Sequence, residues 1–475
     1  MKRTTFARLA SAIGLTALAA STLSGCALFG STPAEETEGS VQLTVALVPD
    51  PPGASEFYTE QFDKFEEANP GITIKVIENP ADQQLNAVQL MFQQGNGPDV
   101  YRAQGDAALD SFVDRGWALS LDDLETSEFL SRFGDGDFDP SVSGLHRDGH
   151  LYSLPLTWGD WSPLSVLVYN KDLVPNAPTT WSEFAEAARN ATKVGDGKVY
   201  GTAPMSGQGQ ALTYFASTAA PYGILPNVNL ATGQPQAASD DLVELVKMWH
   251  DLQTDGALEP GWESWDGSKA FTEFAAGRLA MYATPAWHIA EIRKLNPEMN
   301  MGIAAIPVPD SGRVAYSPKT SSFAPLWSAS AKTKHPEETL KLMDFLASVD
   351  FYKAYYETFG TLTASEKAWS DAVSKNEDQQ ALVDVAKDTN RIVPNPLLLD
   401  NGAKDLWGSL SSDPELDWKQ PALKSIINGS DYKSAAMALD DKVSGLMDDA
   451  ESKDPGTRNA LVVRGWNPLE NYQAP

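Results

Sequence analysis

The stretch from Val41 to Ala103 alternates two kinds of hydrophobic periodicity, and few folds accept that alternation. The β-branched run 41-VQLTVAL-47 is broken by Pro49, Pro51 and Pro52, and reads as a buried strand followed by a loop that carries Asp50. In 55-SEFYTEQFDKFEEA-68, Phe57, Phe62 and Phe65 recur at helical spacings until 69-NPG-71 stops the helix. A second strand at 72-ITIKVI-77, a helix at 82-DQQLNAVQLMFQQ-94 ended by Gly95, and a third strand at 98-PDVYRA-103 follow. Strand, helix, strand, helix, strand predicts an α/β lobe with a largely parallel sheet. Ligands of such sheets bind at loops leaving the carboxyl ends of strands, which singles out Asp50 and 104-QGD-106.

Further along, 164-LSVLVYNKDL-173 is a strong strand, and 180-TWSEFAEAARNAT-192 is a helix opened by Thr180 with Glu183 at the capping-box position. Helices are expected at 240–253 and 268–277, the apolar 279-LAMYA-283 follows, and strands or loops fill 301–327. The last part reads as mostly helical, at 336–358, 375–388, 402–410, 419–427 and 431–452. Between the two α/β regions lies 154-LPLTWGDWSPL-164, where Trp158 and Trp161 surround Gly159 and Asp160. Pro155, Gly159 and Pro163 make it neither a helix interior nor an alternating strand. A chain of 475 residues, 42% apolar and 21% charged, divides into two or three domains with substantial cores.

The formal net charge of −28 argues against nucleic acid, whose phosphates need Lys and Arg, and against anionic lipid headgroups. At the amino terminus, Lys2, Arg3 and Arg8 precede an apolar stretch from Leu9 to Leu23, which reads as a secretory signal. Polar Ser11, Thr16, Ser21 and Thr22 dilute it below the roughly 20 continuous apolar residues of a membrane anchor. The only cysteine is Cys26, so no internal disulfide forms. The segment 23-LSGC-26 resembles a bacterial lipobox, which implies cleavage before Cys26 and a diacylglycerol on its sulfur. The small, polar and acidic 27-ALFGSTPAEETEGS-40 suits a flexible tether.

The order of the pieces resembles the family of extracellular sugar-binding proteins that serve ABC importers, extracellular solute-binding protein family 1. Its marks are 66-EEANPGITIKV-76, 97-GPDVYRAQGD-106, 168-VYNKDLVPNAPTTWSEF-184, 274-FAAGRLAMYATPAW-287 and 331-AKTKHPEETLKLMDFLAS-348, over nearly the whole mature chain. The resemblance implies a periplasmic-binding-protein-like II fold: two discontinuous α/β lobes, a hinge, and a ligand cleft between them. It places a signal peptide at 1–25 and the tether at 26–40. Lobe 1 would take 41–158 and 319–393, and lobe 2 would take 159–318 and the mostly helical 394–475. The implied partners are a mono- or oligosaccharide and a transmembrane permease. The chain itself would be a monomer without cofactor, held outside the cytoplasmic membrane by the lipid on Cys26.

A sugar presents apolar C–H faces and a rim of hydroxyls. Aromatic rings cover the faces and carboxylates or amides pair with the rim. Trp158 or Trp161 is a candidate platform, with hinge packing as the alternative, and Asp160 is a hydroxyl acceptor or a turn cap. By resemblance, Trp287 occupies a stacking position, Asp106 a hydroxyl-binding one, and Asp50 a polar contact; Ala103 stands where relatives carry an aromatic residue. Trp407, Tyr214 and Gln104 complete the candidates. Trp181 and Trp249 are assigned to the core, whereas Trp262 and Trp265 would be either core or rim.

No HExxH, GxSxG or P-loop motif is present. His146 and His150 have i, i+4 spacing, but Gly149 lies between them and no third ligand is evident. Paired carboxylates of a secreted glycoside hydrolase are the catalytic alternative. A non-sugar solute and a surface adhesin are the others.

Overall fold

In the computed structural model, the described residues are 40–104, 106–140, 143–157, 165–204, 209–220, 227–265, 267–319, 323–394, 402 and 404–472. Val41–Pro475 forms a compact unit by itself. Its strands are β1 (Val41–Leu47), β2 (Ile72–Glu78), β3 (Val100–Arg102), β4 (His146–Arg147), β5 (His150–Leu151), β6 (Ser165–Asn170) and β7 (Val228–Asn229). They continue with β8 (Gln234–Pro235), β9 (Met281–Pro285), β10 (Met301–Ala304), β11 (Ser317–Lys319), β12 (Trp327–Ala329) and β13 (Asn390–Ile392).

The first sheet has the order β12-β3-β1-β2. Its two parallel pairings, β1 with β2 and β1 with β3, are those the alternation predicts, and β12 adds an antiparallel edge. Strand β1 is covered on both faces, as a central parallel strand must be. Leu43, Val45 and Leu47 enter one apolar cluster, and Ala46 enters another with Val88, Phe92, Tyr101 and Phe112. The helices Ala54–Ala68 and Gln84–Gln93 fall where the sequence places them.

The second sheet, β10-β6-β9, is antiparallel throughout. Around it lies the largest apolar cluster, which takes Trp181, Trp249 and Trp262 from the middle of the chain. It also takes Leu406, Trp418, Tyr432 and Met447 from the terminal helices. The expected single helix over 336–358 is two, Pro336–Leu346 and Val349–Phe359. Ser348 divides them by accepting from the Phe351 N–H at 3.2 Å, a capping bond that opens the second helix.

The segments that mark the family are mostly structural. Asp99 of 97-GPDV-100 accepts from the Thr44 amide and hydroxyl through one oxygen, at 2.8 and 2.7 Å, and from the Thr333 hydroxyl through the other, at 2.7 Å. It thereby ties β1, the start of β3 and the segment after β12. At 69-NPG-71, the Asn69 side chain donates to Phe65 O, and Gly71 at φ 98° takes the left-handed turn into β2. Thr180 and Glu183 form the expected capping box on the helix Trp181–Gly195.

The chain crosses between the two cores more than once. Leu154 and Leu156 belong to the first core and Val166 to the second. Ile306 lies in the second and Phe323 in the first. The helix Glu377–Thr389 serves both, with Leu382 in the second and Val383 in the first. Strands β11 and β13, from the later crossings, pair in parallel as a two-stranded ribbon. Tyr316, just before β11, lies under the guanidinium groups of Arg313 and Arg391 at 4.7 and 4.2 Å. The closing segment straps this ribbon: Asn471 Oδ1 accepts from Ile392 N at 2.9 Å, and Tyr472 N donates to Ile392 O at 2.8 Å.

Asp99→Ala leaves Thr44 and Thr333 without their shared acceptor. Hydrogen bonds to a charged group contribute about 1.5–3 kcal/mol, so the unfolding free energy from urea titration is expected to fall by about 2 kcal/mol or more.

Candidate functional site

Because β1 and β3 run parallel, the loops that follow them leave the same edge of the first sheet. Asp50 and Gln104 are on these loops, and both are exposed. The loops are held from beneath. Arg102, itself buried, donates to Val48 O at 3.1 Å, and buried Gln84 donates to Ala46 O and Arg102 O, both at 3.1 Å. Burial raises the phenol pKa values of Tyr58 and Tyr355, Arg102 opposes the rise, and Asp50 lies near enough to add a smaller upward push. Asp106 opens the helix Asp106–Asp114, and its side chain lies outside the described residues.

The second sheet presents Trp287. Strand β9 ends at Pro285, opposite Ser165 at the start of β6, and Trp287 stands at the N-cap of the helix His288–Leu295. It is 60% exposed, the most of any large aromatic side chain among the described residues. Its ring meets His288 edge-on, centroids 3.9 Å apart, and Phe271 at 6.4 Å. Tyr282 and Thr284 alternate onto one face of β9. Both hydroxyls reach His288 Nδ1, at 3.0 and 2.6 Å.

His288 is fully buried, and burial pushes its pKa down to about 4, opposed by the nearby Glu291 carboxylate. Tyr214, on the helix Gln210–Ala219, is half-buried and close enough to Tyr282 to interact electrostatically, and burial raises its pKa to about 12. The structure therefore brings Tyr214 and Trp287 into one neighbourhood around Tyr282 and His288.

Of the remaining candidates, Trp407 lies on the helix Lys404–Ser412, partly buried against the second core. Trp262 is a core residue, fully buried with its indole N–H donated to Gln253, and Trp265 packs half-buried beside the same core. Trp158, Asp160 and Trp161, like Cys26, lie outside the described residues. His146 and His150 share a two-residue hairpin, β4–β5, which sends them to opposite faces. His146 is buried beside Glu125 at 3.0 Å, and His150 pairs outside with Asp122 at 2.7 Å. Among the described residues, no group of three or more His, Cys, Asp or Glu side chains is arranged to hold a metal ion, and no helix is long and apolar enough to cross a membrane.

A sequence model described as bacterial extracellular solute-binding protein matches residues 60–381. The chain belongs to that family. This solute-binding protein is 27% identical over 356 residues to a putative binding protein of Brucella abortus, covering 74% of this chain and 82% of that one. It is 27% identical to the maltodextrin-binding protein of Bacillus subtilis, over 73% of this chain and 79% of its relative. Among solved structures, unliganded RafE of Streptococcus pneumoniae superposes with a TM-score of 0.62 at 19% identity, over 88% of this chain and all of RafE. The fold is thus the two-lobed binding-protein fold with a hinge and a cleft between the lobes.

His288, Phe271 and Arg102 were not among the residues singled out from the sequence. A Thr-x-x-x-His spacing across a strand end is the one trace His288 leaves there, and it is too common to select.

The His288 environment makes stability depend on pH. The unfolded imidazole takes its proton near 6.5 and the folded one only near 4. The unfolded chain then binds more protons between those values, so stability falls as pH drops across them, with no further loss from this group below about 4. Thermal unfolding of His288→Phe from pH 7 to 4 is expected to show a shallower decline than the wild type.

Proposed function

We propose that this solute-binding protein captures a sugar or oligosaccharide between its lobes and delivers it to the permease of an ABC importer, anchored outside the cytoplasmic membrane through a lipid on Cys26. The observation that carries the carbohydrate reading is Trp287, an indole left 60% exposed yet set on a fully buried polar and aromatic base. An exposed ring on such a base is a platform for the apolar face of a sugar ring. Asp50 and Gln104 supply acceptors and donors for hydroxyls, and Asp106, Trp158, Asp160, Trp161, Tyr214 and Trp407 are proposed to complete the site. Relatives support the ligand class: they are named as binding maltodextrin, maltooligosaccharide and galactooligosaccharide.

Capture works by population shift. A ligand that touches both lobes only in the closed form stabilises closure by its differential affinity for the two states. The chain supplies binding and no bond-breaking chemistry; transport energy comes from a separate ATPase. The lobe boundaries proposed for this motion are 158/159, 318/319 and 393/394.

Titration calorimetry against maltose, maltotriose, longer maltodextrins and galactooligosaccharides is expected to give saturable binding to at least one. Binding of amino acids, peptides or metal ions with no sugar response removes the carbohydrate reading, and release of reducing ends turns it into a hydrolase. For the bound sugar, Trp287→Ala is expected to raise the dissociation constant tenfold or more, about 1.4 kcal/mol.

A further inference from the structure

A side chain as exposed as Trp287 has little burial of its own to hold it, and ordering it on ligand binding costs conformational entropy. His288 supplies what burial does not. The imidazole is fully buried, its Nδ1 is fixed by two hydroxyls from β9, and its ring abuts Trp287 at 3.9 Å and 72°. Phe271 packs on it at 4.9 Å, and Tyr282 lies nearly parallel to it at 6.0 Å.

We propose that His288 is a positioning residue that holds the Trp287 indole in its ligand-facing orientation before any ligand arrives. The inference rests on the reading of Trp287 as a carbohydrate platform. The hydroxyls of Tyr282 and Thr284 both lie within hydrogen-bond distance of Nδ1, so the neutral ring is tied to β9 whichever nitrogen carries its proton. Nε2 is buried and has no hydrogen-bond partner among the described residues. The buried ring thus joins the end of β9 to the first turn of the next helix, with Trp287 between the two joined points.

Protonation would place a charge in that cluster. Burial holds the imidazole pKa down to about 4, and the charged or titratable groups facing the cluster are Glu291, Tyr282 and, beyond it, Tyr214. The ring is therefore neutral at neutral pH.

The test is NMR relaxation of the indole N–H groups in Val41–Pro475, which is a compact unit by itself, with the Trp287 signal assigned by its loss in Trp287→Phe. In the unliganded wild type, Trp287 is expected to be nearly as rigid as ordered backbone, with an order parameter near 0.8, about that of rigid structure. In His288→Ala it is expected to drop below about 0.6, while the core indoles stay unchanged. His288→Asn keeps an acceptor for both hydroxyls but removes the ring, so it guards against a variant that fails to fold and should loosen Trp287 alike. With maltotriose as probe, His288→Asn should raise the dissociation constant about fivefold and add nothing to Trp287→Ala. A Trp287 already mobile in the wild type, one equally rigid in both variants, or additive losses in the double variant would overturn the proposal. Relaxation needs no sugar, so a maltotriose affinity indifferent to Trp287→Ala would count against the carbohydrate reading alone.

Discussion

The carboxylate of Asp99 joins three segments that no local contact would bring together. Thr44 belongs to the first strand, Asp99 leads into the third, and Thr333 follows an edge strand more than two hundred residues later. Without that return, the first sheet would end at β3 with an unpaired edge, and unpaired edges recruit other chains. The crossing that brings the chain back before Phe323 serves this late strand. The chain leaves the first core after Leu156, builds the second, and must come back to complete what it left open.

That return is also what builds a hinge. Each crossing contributes a strand end, and β11 and β13 pair into a short ribbon outside both sheets. Two guanidinium groups over Tyr316 and the strap at Asn471 and Tyr472 brace it. The two packed cores behave as rigid bodies because close-packed interiors resist deformation.

The sheets aim their strand ends differently, and the chemistry on them differs accordingly. The first presents short polar side chains on loops held by the buried groups of Arg102 and Gln84. The second presents a single large ring on a buried base. One side suits a rim of hydroxyls and the other an apolar face, and a carbohydrate carries both.

Much of this was legible in the residue order. Strand β1, the helix Ala54–Ala68, β2 and the capping box at Thr180 announce themselves because their determinants are local: periodicity, β-branching, Pro–Gly stops, and a hydroxyl three residues before a carboxylate. Trp287 was marked by its resemblance to a stacking position of the family. What stayed hidden depends on distance in the chain. That Asp99 serves Thr333, that Trp262 is core rather than rim, and that the His146–His150 spacing belongs to a hairpin and not a helix face all come from pairings between remote segments. His288 is the sharpest case. In the sequence it is one histidine beside a tryptophan. Only the turn from β9 into its helix sets it under two hydroxyls and against the exposed ring, because side-chain direction at such a junction is fixed by the neighbouring strand and helix together.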